Sequence, residues 1–191
     1  AQELRDLREA PSGNVVRDGS FELGTPNPFW AEASTNFGTP LCGPGCSVAS
    51  HTGLWFAWFG GITVYEAGSV SQSVTIPSGG PATLSFWVKN SSCSGNAADY
   101  LEVKVDGAQL WVTTAADPAC NTPTYRQVTV DVSAYANDAA HVLEIKSETF
   151  GAAVTSFFLD DVALNANWVT VDGAGNFRGY AWSENLGWIK F

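Results

Sequence analysis

Residues 84–89 read Leu84-Ser85-Phe86-Trp87-Val88-Lys89, and this stretch decides the class of fold. Side chains alternate along it, with Leu84, Phe86 and Val88 on one side and Ser, Trp and Lys on the other. An alternation of period two predicts a β-strand with one buried and one solvated face. Trp87 is the exception in this pattern, because it is a large aromatic residue on the solvated face.

Similar short segments recur along the chain, separated by turns rich in Gly, Pro, Asn and Asp. Asp106-Gly107 joins two of them and predicts a tight hairpin, because glycine adopts positive φ at little cost. No amphipathic helix of useful length follows the first 13 residues. The chain is therefore predicted to be all-β, a jelly-roll β-sandwich. The predicted strands are 54–59, 68–76, 82–89, 100–105, 109–113, 125–132, 141–147 and 155–164.

Three regions are predicted along the 191 residues, a length that suffices for one domain with a sizeable core. Residues 1–13 are strongly charged and are predicted to form an extended N-terminal arm, with a single helical turn as the alternative. Residues 14–165 form the sandwich. Residues 166–191 carry three of the eight tryptophans and two turn clusters, which predicts a Trp-rich β-hairpin appendage.

Charge excludes some partners. The chain has nine basic and nineteen acidic residues, a formal charge of −10, and only 15% charged residues in total. Nucleic acid and anionic membrane surfaces need a basic face, so neither is an expected partner. A neutral glycan or a bound cation suits an acidic protein better.

The cysteines Cys42, Cys46, Cys93 and Cys120 allow three disulfide pairings. We favour Cys42–Cys46, which closes a tight Cys-Gly-Pro-Gly-Cys loop, and Cys93–Cys120, which joins two loops flanking a pair of strands. Zinc at Cys42 and Cys46 is disfavoured because no second cysteine pair or nearby histidine completes a tetrahedral set. Disulfides predict a secreted or cell-surface protein. The start at Ala1 and the lack of methionine agree with removal of a leader, and no apolar run reaches the roughly 20 residues of a membrane span.

A glycan site needs an aromatic surface for the apolar face of the sugar and polar groups around it. Trp87 meets the first condition. Trp111 is a second candidate, because Leu110 and Val112 would take the core side of its strand. Solvated positions of other predicted strands supply the polar candidates Tyr100, Glu102 and Gln127. The alternative is that these aromatic residues are covered by the terminal segments.

The two ends of the predicted sandwich carry a resemblance. Val15-Val16-Arg17-Asp18-Gly19-Ser20-Phe21-Glu22 resembles the opening strand of carbohydrate-binding modules with the galactose-binding-like jelly roll. Ser156-Phe157-Phe158-Leu159-Asp160-Asp161-Val162-Ala163-Leu164 is similar to their closing strand. The resemblance covers residues 14–165 and implies the same fold and a sugar-binding function.

The resemblance also implies a structural calcium where the first and last strands meet. Glu22 and Asp160 are the matching carboxylates, with Asp18 as a looser candidate. Calcium prefers oxygen ligands from carboxylates and backbone carbonyls. The alternative is that Glu22 caps a turn and Asp160 hydrogen-bonds backbone at a strand end.

A second resemblance lies near the C-terminus. Trp182-Ser183-Glu184-Asn185-Leu186-Gly187-Trp188 is similar to a motif found in bacterial exported proteins. It implies a prokaryotic cell surface and carries no chemistry of its own.

Catalysis is not expected. Glycosidases need two carboxylates across a cleft, and adjacent Asp160 and Asp161 on one strand should point to opposite faces. No Gly-x-Ser-x-Gly elbow is present, and neither His51 nor His141 has a nucleophile context. His141 begins an apolar-alternating strand and is predicted to be buried and hydrogen-bonded.

Two functions remain. The first is a secreted, non-catalytic module that binds a glycan or cell-surface polysaccharide. The alternative is a structural subunit of an extracellular fibre or surface layer, in which copies of the chain lend terminal strands to one another's sheet edges. Trp55 and Trp58 lie in the predicted strand 54–59, which is apolar on both faces. Such a strand is either covered on both sides or part of an interface, so both side chains are expected in the core or in an interface.

Overall fold

The computed structural model describes residues 13–166 except 79 and 94, together with residue 174 and three short strands at 169–171, 177–183 and 187–190. Residues 1–12 of the predicted arm 1–13 lie outside the described residues. Ten strands build the main body. They are β1 (Ala31–Ser34), β2 (Leu41–Cys42), β3 (Phe56–Gly60), β4 (Glu66–Thr75), β5 (Ala82–Cys93), β6 (Tyr100–Val105), β7 (Ala108–Thr114), β8 (Arg126–Asp131), β9 (Ala140–Thr149) and β10 (Thr155–Ala166).

Two antiparallel five-stranded sheets pack into a jelly-roll β-sandwich, which confirms the predicted fold class. The first sheet has the order β1-β4-β9-β6-β7 and the second the order β2-β3-β10-β5-β8. All eight predicted strands are present as β3 to β10, with ends that shift by a few residues. The predictions missed β1 and β2, which are short edge strands and therefore carry little alternation.

The alternation in β5 is confirmed. Leu84, Phe86 and Val88 are fully buried in the core between the sheets, so the side chain of Trp87 lies on the outer face of the second sheet. β6 contributes Leu101, Val103 and Val105 to the core from the first sheet. Burying a side chain of this size stabilises the fold by about 1.5–3 kcal/mol relative to exposure, so this double row holds the two sheets together.

The β6–β7 connection is the hairpin predicted from Asp106-Gly107. Both residues have positive φ, 51° and 79°, as two-residue hairpin turns of type I′ require. The Asp106 carboxylate also contacts Nδ1 of His141 at 2.6 Å. His141 is 7% exposed, and its Nε2 lies 3.0 Å from the Asn137 side-chain oxygen, so the prediction of a buried, hydrogen-bonded histidine is confirmed.

The segment expected to open the domain as a strand does not form one. Asn14 makes a single bridge to Asn165, and Asp18 and Phe21 have positive φ, which breaks an extended conformation. The segment nevertheless lies along β10, because the Gly19 carbonyl accepts a hydrogen bond from the Val162 amide at 2.8 Å. A Cβ at Gly19 would lie 1.8 Å from the Val162 carbonyl oxygen, so this approach requires glycine.

Both disulfides join the favoured partners, Cys42 with Cys46 and Cys93 with Cys120. The C-terminal segment forms β11 (Val169–Val171), β12 (Phe177–Ser183) and β13 (Gly187–Lys190), all antiparallel. The predicted hairpin corresponds to β12 and β13, and β11 adds a third strand. Side chains of the tryptophans in this segment lie outside the described residues. In the part of the chain that is described, no helix has the length and apolar character needed to cross a membrane.

Candidate functional site

The structure divides the predicted ligand residues between opposite faces of the sandwich. Trp87 and Gln127 are direct neighbours across β5 and β8 on the outer face of the second sheet. Tyr100 and Glu102 lie in β6 of the first sheet. Glu102 is 5% exposed and is engaged by Gln109 and by an ion pair with Lys104. A single sugar ring therefore cannot contact both sets.

The orientation predicted for Trp111 is wrong, while its role as a ligand residue stays a prediction. Val103 pairs with Trp111 and Lys104 with Gln109, so Leu110 is an extra residue that forms a β-bulge. A bulge reverses the alternation beyond it. Trp111 consequently packs its ring edgewise against core residue Phe86 at 5.1 Å, and Val112 is 43% exposed.

Residues 43–55 form a loop, here called the covering loop, that runs over the outer face of the second sheet. His51 of this loop stacks on Trp87 with 3.9 Å between ring centroids and 16° between planes. Tyr125, just before β8, contacts the His51 ring edgewise at 5.4 Å. The half-buried indole of Trp87 is thus part of a cluster of three rings beside the exposed Gln127.

Lys89 lies inside this cluster and is 6% exposed. Its Nζ is 4.4 Å from the centroid of Tyr125 and 4.7 Å from that of Phe158, distances at which the ring faces attract a cation. The ammonium also donates to the Ala49 carbonyl of the covering loop at 3.3 Å. Burial lowers the pKa of Lys89 and raises that of the Tyr125 phenol.

Asp160 and Asp161 both hold the covering loop. Asp160 Oδ2 accepts the backbone N–H groups of His51 at 2.8 Å and Thr52 at 3.1 Å. Asp161 contacts Nδ1 of His51 at 2.6 Å and accepts the Thr52 hydroxyl at 2.7 Å. The prediction that the two carboxylates point to opposite faces is wrong, because Asp161 has φ of 49° and β10 is irregular between Asp160 and Ala163.

Asp160 has an altered acidity. It is 0% exposed, and this burial raises its pKa to about 6, partly opposed by the N–H groups of Thr52, Asp161 and His51. The neighbouring Asp161 charge raises the pKa further. The group therefore exchanges its proton in mildly acidic solution.

Glu22 holds the far end of the covering loop. Its Oε1 accepts the N–H groups of Leu54 and Trp55, each at 2.8 Å. Gly53, with φ of 57°, lies against this carboxylate, and a Cβ there would be 2.2 Å from Oε1. Glu22 and Asp160 therefore both bind the covering loop. Each accepts backbone N–H groups, which is the alternative to calcium binding given above.

The predicted calcium position lies where Glu22 and Asp160 meet the covering loop. Among the described residues no three His, Cys, Asp or Glu side chains converge on a common point. Asp18 bonds instead to the Asn27 side chain at 2.6 Å and to the Leu23 amide. Because the carboxylates of Glu22 and Asp160 already accept N–H donors, they fit loop anchors better than a calcium shell. Calcium at this position stays a prediction.

A groove of about 380 Å³ lies on the other side of the covering loop, at the β2 edge of the second sheet. Its lining includes the rings of Phe37 and Trp58 together with Thr39, Gly61 and Ile62. Trp58 is half-buried and Phe37 is 56% exposed. The expectation that Trp58 lies in the core or an interface is thus met only in part.

Sequence reasoning missed His51, Lys89 and Tyr125 as members of the site. Extending the β8 alternation by two residues from Gln127 places Tyr125 on the same outer face, so that signal was available. No local pattern marks His51, which comes from a Ser- and Gly-rich loop and meets Trp87 only through the tertiary fold.

No family model matches the chain, and no curated protein matches it. Solved structures match at the level of the fold. A family 61 carbohydrate-binding module, determined with bound β-1,4-galactotriose, has a TM-score of 0.59 and 17% identity, and the match covers 81% of this chain and 99% of the module. The K1 cleaved adhesin domain of Lys-gingipain from Porphyromonas gingivalis has a TM-score of 0.56 and 19% identity, covering 78% and 96%. A Stig cyclase from Fischerella has a TM-score of 0.50 and 14% identity, covering 81% and 98%, so the fold also occurs in a cyclase.

Proposed function

We propose that this protein is a secreted, non-catalytic module that binds a glycan or cell-surface polysaccharide through the outer face of its second sheet. The observation that carries the proposal is the cluster of His51, Trp87 and Tyr125 beside the exposed Gln127. Sugar rings have apolar C–H faces that pack on aromatic rings, while their hydroxyls need hydrogen-bonding groups at the edge. The fold shared with a galactotriose-binding module supports the same function.

The cluster is held in place before any ligand arrives. His51 is fixed by Asp160 through its backbone and by Asp161 through its ring, so the stack on Trp87 has a defined orientation. A preorganised aromatic surface loses little conformational entropy on binding. The two disulfides, together with fold neighbours that include an adhesin domain, support export.

The test is native gel electrophoresis in gels that contain soluble polysaccharides, with a galactan among them. We expect at least one polysaccharide to retard the protein and Trp87→Ala to abolish that retardation. Tyr100→Ala, on the opposite face, is the matched control and should migrate like the parent protein. If the polysaccharide still retards Trp87→Ala but no longer retards Tyr100→Ala, the glycan site lies on the first sheet and the proposal is wrong.

The absence of catalysis is part of the proposal. Asp160 is 0% exposed and Asp161 is engaged by His51 and Thr52, so neither carboxylate is presented to a substrate. Release of reducing sugar from a retarding polysaccharide would contradict this assignment.

Sheet edges favour a structural subunit as a second candidate. Among the strands that the structure describes, β7 and β8 each lie at the edge of a sheet, where another strand could be added. Terminal residues of a second copy would supply that strand. Size-exclusion chromatography and electron microscopy separate the candidates, because a fibre subunit elutes at very high mass or forms filaments and a glycan-binding module elutes as a monomer.

A further inference from the structure

The groove between Phe37 and Trp58 has the size and composition of a ligand site. Its volume of about 380 Å³ falls in the range of roughly 300–1,000 Å³ typical of small-molecule sites. Aromatic and aliphatic side chains make up much of the lining. The Thr39 hydroxyl donates to Glu32 and accepts the Leu41 N–H at 2.9 Å, so its remaining lone pair can accept a hydrogen bond from a ligand hydroxyl. Such sites combine an apolar surface with a few polar groups that orient the ligand.

Trp58 is held rigidly at the floor of this groove. Its Nε1 donates to the Ser156 hydroxyl at 3.3 Å, and its ring packs on Phe158 with 5.3 Å between centroids. Gly61, with φ of 82°, lies so close that a Cβ would be 2.9 Å from Nε1. The indole is therefore oriented by one hydrogen bond and by two packed neighbours.

Phe37 is exposed on a loop that is equally well held. The Phe37 amide donates to the Ser34 hydroxyl at 3.0 Å, and the adjacent Asn36 amide donates to Glu66 at 2.9 Å. Glu66 is only 3% exposed, so the anchor belongs to the folded body. A large apolar side chain that is 56% exposed on a fixed loop marks a surface for a partner.

The groove lies on the same face of the second sheet as the proposed glycan surface, on the other side of the covering loop. Trp58 pairs with Phe158 and Phe158 with Lys89, so Trp58 shares the outer face of the second sheet with Trp87. β10 lies between β3 and β5, so these two strands are about 10 Å apart, which is twice the spacing of neighbouring strands. The covering loop lies between the two aromatic surfaces.

We infer that this groove is a second sugar subsite, in which a pyranose ring packs on Trp58 and Phe37. The inference rests on the proposed function, because it gives the same class of ligand a second contact on the same face. Two subsites on one face suit a polysaccharide, whose repeated units engage both and increase the total affinity.

The experiment follows the indole N–H signals of Trp58 and Trp87 by two-dimensional NMR during titration with oligosaccharides from the polysaccharide that retards the protein. Tryptophan-to-phenylalanine variants assign the signals. We expect both signals to shift with added sugar. Phe37→Ala should weaken binding about fivefold, as loss of a well-packed aromatic contact does, while Val142→Ala, which removes an exposed apolar side chain from the first sheet, should bind normally.

Each outcome separates the two proposals. A shift of Trp87 alone, with normal affinity in Phe37→Ala, overturns the second subsite and leaves the proposed function standing. A shift of Trp58 alone supports the groove as a sugar site and overturns the assignment of Trp87. If no polysaccharide retards the protein and neither signal moves, both proposals are wrong.

Discussion

Buried carboxylates hold the surface loops of this protein in place. Asp160 accepts N–H groups of the covering loop, Glu66 accepts those of the loop that carries Phe37, and Asp99 accepts the Phe150 amide at 2.7 Å and the Thr155 hydroxyl at 2.6 Å. Each of the three is at most 3% exposed. Buried polar groups are tolerated when hydrogen bonds replace their hydration, and bonds to a charged acceptor are stronger than neutral ones. Anchors of this kind give both aromatic surfaces a fixed geometry.

The raised pKa of Asp160 predicts that the stability of the protein depends on pH. Its folded-state pKa is about 6, above the ordinary value of 3.8, so between these values the folded protein binds more protons than the unfolded chain. The contribution of Asp160 to the unfolding free energy therefore falls as pH rises from about 4 to about 6. Asp160→Asn lacks this titration and should gain stability relative to the parent protein over that interval.

Chemical denaturation of both proteins at pH 4 and pH 7 measures this change. Taking the difference between the proteins at each pH cancels the titration of groups that do not interact with Asp160. A difference that is the same at both pH values would contradict the raised pKa.

Glu22 gives a test of calcium against loop anchoring. Glu22→Ala removes the acceptor for two backbone N–H groups, and we expect it to lower the unfolding free energy by about 1 kcal/mol in EDTA. Glu22→Gln keeps an oxygen acceptor and should change stability less. Thermal unfolding monitors both variants.

Addition of calcium to the same samples separates the two roles. Bound calcium would raise the melting temperature of the parent protein. Both Glu22 variants would lose that increase, because an amide is a poorer calcium ligand than a carboxylate. An identical melting temperature in calcium and in EDTA would contradict the calcium prediction and leave Glu22 as a loop anchor.

A strand was predictable from the sequence where apolar and polar residues alternate along it. The strands β5, β6 and β10 were predicted closely because each carries a long apolar–polar pattern or a recognisable terminal motif. The Leu110 bulge was not predictable, because the residue types in β7 do not mark where the pairing shifts. The shift turns the Trp111 ring toward Phe86 of the core. The irregularity in β10 likewise places the Asp161 carboxylate on the same side of the strand as the Asp160 carboxylate.

The candidate site was predictable only where strands build it. Trp87 and Gln127 follow from alternation and do meet across β5 and β8. Their other neighbours come from the covering loop, whose path depends on contacts between residues more than 100 positions apart, such as His51 with Asp161. Alternation identifies the outer face of a strand but not the sheet to which that strand belongs, so it could not separate Tyr100 and Glu102 from Trp87.

At the scale of the molecule, two disulfides constrain segments of very different length. Cys93–Cys120 spans 27 positions and connects the end of β5 to the segment before β8, whereas Cys42–Cys46 spans four. In the chain-entropy model the longer closure stabilises the fold by about 3.5 kcal/mol and the shorter by about 2 kcal/mol.

The paired variants Cys93→Ala/Cys120→Ala and Cys42→Ala/Cys46→Ala test this ranking. We expect the first pair to lower the unfolding free energy more than the second, as measured by urea denaturation. The second pair should still alter the affinity for a retarding polysaccharide, because it loosens the covering loop beside both aromatic surfaces. The reverse ranking of stabilities would show that native packing, rather than chain closure, dominates at these sites.

The covering loop also bears on how the protein could be changed. Residues 51–55 of this loop are held by the carboxylates of Asp160 and Glu22. Residues 47–49 are attached through the Ala49 carbonyl, a group that every amino acid possesses. Substitutions in this stretch would therefore change the chemistry shown to solvent without releasing the attachments of the loop. The same scaffold could in this way acquire new recognition specificities, by natural variation or by grafting of designed tripeptides at this position.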